Sequence, residues 1–130
     1  MWEQDCGSVP VVDQDRRVVA MVTDRDLCMA AFTQGRPLSD IRVSSAMSKS
    51  LFYCRPEDDV KQAEKQMRAH QVRRLPVVDP EGKLVGILSL SDLARQAMAS
   101  KRSRARTKPL AAADVGETLG AISTPAARTD

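Results

Sequence analysis

Part of the chain is written twice. Sliding the 130 residues along themselves by 66 positions places Pro10 on Pro76, Val11 on Val77, Val12 on Val78, Asp13 on Asp79, Val19 on Val85, Asp26 on Asp92 and Leu27 on Leu93, without a gap. Self-similarity at one fixed offset marks two copies of a supersecondary unit, neither of which buries its apolar face alone. The copies are therefore expected to share a core, and the length suits one folding unit of that kind.

The second copy is the fuller one. "LFYC" at 51 to 54 has the β-propensity of a short strand. "RPEDDVKQAEKQMRAHQ" opens with Pro56 and three acids and carries Val60, Ala63 and Met67 on one face, which predicts an amphipathic helix. "VRRLPVVD", the turn residues Pro80 and Gly82, and "KLVGILS" predict two strands joined as a hairpin, and a closing helix follows from about Ser91 to Ala99. The unit reads strand, helix, strand, strand, helix.

In the first copy Met1 falls on Met67, inside the helix, so the opening strand and most of the first helix have no counterpart. A chain truncated at its first repeat is expected; the alternative is a frayed remnant covered by a dimer partner or the tail. The closing helix "DRDLCMAAFTQG" is expected to end at Gly35. The resulting organisation is the C-terminal half of a first repeat (1–36), a linker (37–46), a second repeat (47–99), a basic flexible linker (100–113), and a short helix with a disordered tail (114–130).

Apolar residues make up 42% and charged residues 28%, a globular balance, while 3% aromatic content leaves the core to Val, Leu, Met and Ala. No run approaches a membrane span of about 18 apolar residues, and the N-terminus resembles no signal peptide, so a cytoplasmic protein without a membrane partner is expected. Cys6, Cys28 and Cys54 are odd in number and form no C-x-x-C pair, which argues against a disulfide framework or a metal site and for reduced, mostly buried thiols. The net charge of +3 includes five positive charges at Lys101, Arg102, Arg104, Arg106 and Lys108, so the remainder carries −2. Those five cations are expected to form a solvated linker rather than a nucleic-acid contact, because no aromatic residue is interleaved for base stacking. Beyond them, Val115, Leu119 and Ile122 stand at helical spacing and could dock on the module or on a partner.

Each copy closes on Ser/Thr-x-x-Asp: Thr23 to Asp26, and Ser89 to Asp92. The spacing is that of a capping box, in which the hydroxyl covers a helix-start amide and the acid reaches back. The same place offers free amides and a partial positive charge for a phosphate, and a carboxylate that can accept from a vicinal diol. Both readings stay open on spacing alone.

"VRRLPVVDPEGKLVGILSLSDL" resembles the core of a CBS domain, the cystathionine-β-synthase repeat, and "GSVPVVDQDRRVVAMVTDRDL" is similar to the second half of another. Over about residues 1 to 99 the chain resembles a CBS pair, or Bateman module, similar to small stand-alone bacterial CBS proteins including the hypoxic response type. The resemblance implies an α/β fold of tandem repeats related by a pseudo-twofold, each with a three-stranded sheet flanked by helices, the first truncated at its N-terminus. It implies a homodimer of pairs and an adenosine nucleotide (AMP, ADP or ATP) in clefts between repeats, bound as a ligand rather than as a required cofactor.

Carried onto this chain, the resemblance implies one cleft from Ile87, Ser89, Asp92 and the phosphate-facing Arg74, helped by the first copy near Cys6 and Gly7. It implies another from Thr23 and Asp26, with Met21 against the base and a wall of Leu51, Phe52, Tyr53, Cys54 and Val72. Arg74 falls on Ser8, so phosphate charge there is expected from Arg25 or Arg73, and Ala20 stands where the second copy has Gly86. The first cleft lacks part of its wall and the second its arginine, which favours the Asp26 cleft in this chain. For Arg73 and Arg74, phosphate binding and a solvated strand start stand level. His70, the only histidine, is expected to be exposed or to cap a helix, since neither nucleophile nor metal cluster accompanies it. The expected function is a non-catalytic regulatory module relaying nucleotide state to an unknown regulated protein; the alternative is a ligand-free dimerisation scaffold whose Ser/Thr-x-x-Asp motifs are only caps.

Overall fold

Alternation of apolar side chains, two turns with an aspartate at one end, and three helix-start signals account for most of the elements. The computed structural model describes residues 1–100 and 111–124. Strands β1 (Ser8–Val12) and β2 (Val18–Thr23) pair antiparallel, Ser8 opposite Thr23 and Pro10 opposite Met21, with an irregularity between Val11 and Val12. Val18, Ala20 and Val22 are buried at period two. Helix α1 (Asp24–Gln34) follows directly and stops at Gly35, whose φ of 60° and N–H donated to Ala31 O form a left-handed cap. Residues 37–46 contain two short 3-10 turns, Leu38–Asp40 and Val43–Ser45, and Trp2–Gln4 form a third.

Helix α2 (Val60–His70) starts later than Pro56 and its acids suggested. Asp58 accepts the Arg55 amide in a turn of its own, and Asp59 is the cap, accepting from Lys61 N at 3.0 Å. Its inward face is Ala63, Glu64 and Met67; Val60, expected there, is exposed. Strands β3 (Arg74–Val78) and β4 (Leu84–Ser89) form the second two-stranded sheet, and α3 (Leu90–Ser100) closes the repeat. The opening strand expected at 51 to 54 shrinks to a single parallel bridge, Cys54 to Val77, with Cys54 N donating to Pro76 O. Each described sheet therefore has two strands where three were expected; in the second repeat the segment expected to be the third strand pairs at only one residue.

The two hairpin turns are built alike. Asp13 and Asp79 each accept, through Oδ1, the amide four residues on, from Arg17 at 2.9 Å and Lys83 at 2.8 Å. The left-handed position is Arg16 (φ 64°) in the first and Gly82 (φ 82°) in the second. The turns also meet: Val18 N donates to Gly82 O and Leu84 N to Arg16 O.

The chain divides into two compact units, Met1–Leu51 with Val78–Leu84, and Phe52–Val77 with Val85 onward. In the second, Cys54, Ala63, Met67, Leu75, Leu90 and Leu93 form the core. Helix α4 (Ala112–Ser123) joins it, packing on α2 and α3 and adding Ile122 to that core. Docking on the module is thus the outcome for this segment, with Thr118 and Ile122 as its buried residues and Leu119 left half exposed. The cation run 101–108 and the end of the tail lie outside the described residues. The three thiols were expected to be mostly buried, but only Cys54 is; Cys6 is partly exposed and Cys28 is exposed on α1.

Candidate functional site

Two strand-to-helix junctions place the same four atoms in the same way. At the β2–α1 junction, Thr23 Oγ1 accepts from Asp26 N at 3.1 Å, while Asp26 Oδ2 accepts from Thr23 N at 2.9 Å and Thr23 Oγ1 at 2.7 Å. At the β4–α3 junction, Ser89 Oγ accepts from Asp92 N at 3.2 Å, and Asp92 Oδ2 accepts from Ser89 N at 2.8 Å and Ser89 Oγ at 2.5 Å. The capping box is real at both places. It uses one oxygen of each carboxylate.

The second oxygen distinguishes the two. Asp92 Oδ1 accepts from the guanidinium of Arg95, one helical turn along. The residue 66 positions before Arg95 is Met29, which offers no donor, and among the described residues Asp26 Oδ1 has no partner. The hydrogen bond from the Ser89 hydroxyl, with smaller contributions from its amide and from Arg95, holds the Asp92 carboxyl below the usual carboxylate range, against the opposing effect of its partial burial.

Near Asp26, Met21 is half-buried and its backbone is tied to Ser48, N to Oγ at 3.1 Å and O to Ser48 N at 2.8 Å. Arg25 is exposed, Ala20 is fully buried, and Gly7 O accepts from Asp24 N. In the second unit, Arg73, Arg74 and Ser89 line one cavity of about 360 Å³, together with Leu90, Ser91, Val115 and Leu119. Arg73 O also accepts from Leu90 N at 2.9 Å, tying the start of β3 to the start of α3. Asp92 and Ile87 are not among the residues lining that cavity, and Ile87 is exposed.

Of the residues expected to wall the other cleft, Val72 is half-buried against the second unit's core and Tyr53 is exposed. Cys54 is a correction: its side chain is turned into the core, 3% exposed, so it presents no wall. Burial, and secondarily the Asp58 carboxylate, push its thiol up and keep it protonated. Phe52 is stacked on His70 with ring centroids 3.6 Å apart and planes at 9°, which occupies one face of that ring. His70 itself is exposed in the last turn of α2.

A family model, described as CBS domain, matches residues 3–32 and 39–99. The chain belongs to the CBS-domain family. It carries the tandem repeats of a CBS pair. It is 39% identical over 101 residues to the CBS domain-containing protein YhcV of Bacillus subtilis, covering 78% of this chain and 70% of that one. Hypoxic response protein 1 of Mycobacterium tuberculosis is 33% identical over 95 residues, which cover 73% of this chain and 66% of its own length. A crystal structure of Hypoxic Response Protein I, solved with two coordinated zinc ions, superposes with a TM-score of 0.66 at 32% identity over 73% of this chain and 76% of that one. CBSX2, solved in complex with AMP, superposes with a TM-score of 0.66 at 31% identity over 78% of each. Among the described residues, no group of three or more His, Cys, Asp and Glu side chains could hold a metal ion, and no helix is long and apolar enough to cross a membrane.

Arg95 and Glu64 escaped the sequence reading. The Asp92-x-x-Arg95 spacing was a usable signal for the first. The burial of Glu64 had none, because it depends on where α4 docks.

Proposed function

We propose that this CBS pair is a non-catalytic regulatory module that senses an adenosine nucleotide (AMP, ADP or ATP) in clefts between its repeats and relays that state to a partner through the packing of a homodimer. The observation that carries the reading is the free second oxygen of Asp26, on a carboxylate already oriented by Thr23. One oxygen serves the helix cap while the other is available to a ribose diol, so capping and binding coexist in one residue. The 31% identical relative solved with AMP supports the same ligand class.

In this reading Asp26 is the ribose acceptor, Met21 with Val72, Phe52 and Tyr53 meets the base, and Arg25 or Arg73 supplies phosphate charge. Asp92, with Ser89, Ile87 and Arg74, is the second site, weaker because Arg95 competes for its outer oxygen. A ligand shifts the module only through different affinity for two arrangements.

Thermal melting with AMP, ATP and S-adenosylmethionine tests this on the wild type, Asp26→Asn and Asp92→Asn. A ligand at a hundred times its Kd adds about 2.7 kcal/mol. Loss of the response in Asp26→Asn with retention in Asp92→Asn is expected. Melting points unmoved by every adenosine compound would leave the scaffold reading, in which both motifs are caps alone.

A further inference from the structure

Helix α4 lies outside residues 3–32 and 39–99, the part that matches the CBS-domain model, and packs on α2 and α3. The residues of α2 that meet it share one face. Glu64, Arg68 and Gln71 stand at i, i+4 and i+7; Arg68 pairs with Glu117 of α4 at 2.9 Å, and Gln71 Nε2 donates to Ala121 O at 3.3 Å and to Thr124 O at 2.9 Å. The first position of that face is a carboxyl that is 1% exposed and whose Oε1 has no hydrogen-bond partner among the described residues. Arg68, one turn along, is the cation placed to neutralise it, but its ion pair is with Glu117 instead. Burial is the largest influence on Glu64 and favours the protonated form; Asp114 and Glu117 of α4 act the same way, Arg68 and Lys61 of α2 act against it, and α3 supplies no charge to the set.

Helix α4 is also intrinsically weak. Gly116 and Gly120 lie inside it, and a Cβ at either would meet nothing within 4 Å, so close packing does not require them, while each lowers helix stability relative to alanine. A helix of 12 residues carrying two glycines depends on the surface it docks on. Docking over an ionised Glu64 buries an unpaired charge beside two further acids, whereas docking over the protonated form does not. We propose that α4 is a proton-controlled strap: with Glu64 protonated it stays docked over α2 and α3, and ionisation of Glu64 loosens it and uncovers that face. The strap takes no part in nucleotide binding at Asp26 or Asp92.

The test is amide hydrogen exchange of the full chain between pH 5 and pH 8, corrected for the intrinsic pH dependence of exchange, on the wild type, Glu64→Gln and the pair Gly116→Ala with Gly120→Ala. A carboxyl whose pKa is raised by docking adds its full contribution below the ordinary value of 4.5 and loses it as pH rises through the raised value. Protection of the α4 amides is therefore expected to fall with rising pH, at most about tenfold per pH unit, while the amides of Ala63 and Met67 in α2 stay the more protected throughout. Glu64→Gln is expected to remove the slope and hold α4 protection at its low-pH level. The glycine pair is expected to raise protection by about fivefold per glycine at every pH with the slope intact. A flat pH profile in the folded wild type, a slope that survives in Glu64→Gln, or equal protection of α2 and α4 at every pH, which would mean that α4 opens only with the whole unit, overturns the proposal. None of these outcomes bears on Asp26 or Asp92, so the nucleotide reading stands or falls separately.

Discussion

The Arg95 guanidinium donates to Oδ1 of Asp92, the oxygen that Ser89 leaves uncommitted, so this carboxylate is held on both sides. At the equivalent place in the first repeat, Met29 stands in the position of Arg95 and only Thr23 holds Asp26. One substitution between two copies of a motif makes one aspartate a closed structural unit and the other an open acceptor.

That difference has a titration signature. Ser89→Ala should raise the Asp92 pKa more than Arg95→Ala does, because the serine hydrogen bond is the larger cause of the downward shift. A carboxyl held low stabilises the fold above its unfolded pKa, and the contribution is lost as pH falls through the lower folded value. Carboxyl-carbon NMR titration of both variants checks the order. A larger rise in Arg95→Ala would contradict it.

Glu64 carries the opposite sign. It is 1% exposed beneath α4, its Oε1 lacks a hydrogen-bond partner among the described residues, and burial first, then Asp114, push its carboxyl up. The fold therefore favours the protonated form: this contribution is fully present below the unfolded value of 4.5 and is lost as pH rises through the raised folded value. Glu64→Gln should stabilise the protein at pH 7.5 by about 1 kcal/mol or more, with the gain vanishing near pH 4. Urea melts of both proteins at the two pH values give the difference; equal stability at pH 7.5 would show that the carboxylate is not strained.

Helix α4 is predicted to be an integral part of the second unit. Ile122→Ala removes a buried side chain from the core containing Met67 and Leu75 and should cost about 2–4 kcal/mol. Chemical denaturation measures it. A cost under about 1 kcal/mol, the range of surface changes, would mean that α4 is only loosely attached.

Arg16 holds the left-handed turn position that Gly82 occupies in the other hairpin. Arg16→Gly should relieve that backbone cost and stabilise by about 0.5–1 kcal/mol, partly offset by the greater freedom of glycine in the unfolded chain. Thermal melting decides the sign, and a clear loss would mean that the Arg16 side chain contributes more than its backbone costs.

The repeat, the second copy's hairpin, the α1 and α3 junctions and the Gly35 cap were legible in the residues because each depends on local geometry: β-propensity for the strands, Pro80 and Gly82 for the turn, Ser/Thr-x-x-Asp for the helix starts, while the aspartates that brace both turns emerged only in the structure. The boundary at α2 was not, since Asp59 outcompeted Pro56 for the cap once Asp58 had closed its own turn. The opening strand failed for a related reason: β-propensity at 51 to 54 describes what a segment tolerates, while pairing depends on what lies beside it, and only Cys54 found a partner.

What the sequence determined alone was the order of elements and the two capped junctions that carry Asp26 and Asp92. Tertiary structure decided the rest. It buried Glu64 and Cys54, and it gathered Arg73, Arg74 and Ser89 around a cavity walled by a helix from beyond the repeats. Caps and turns close over three or four residues and are written in local spacing, whereas burial and cavities arise where segments distant in the chain meet, which local spacing does not encode.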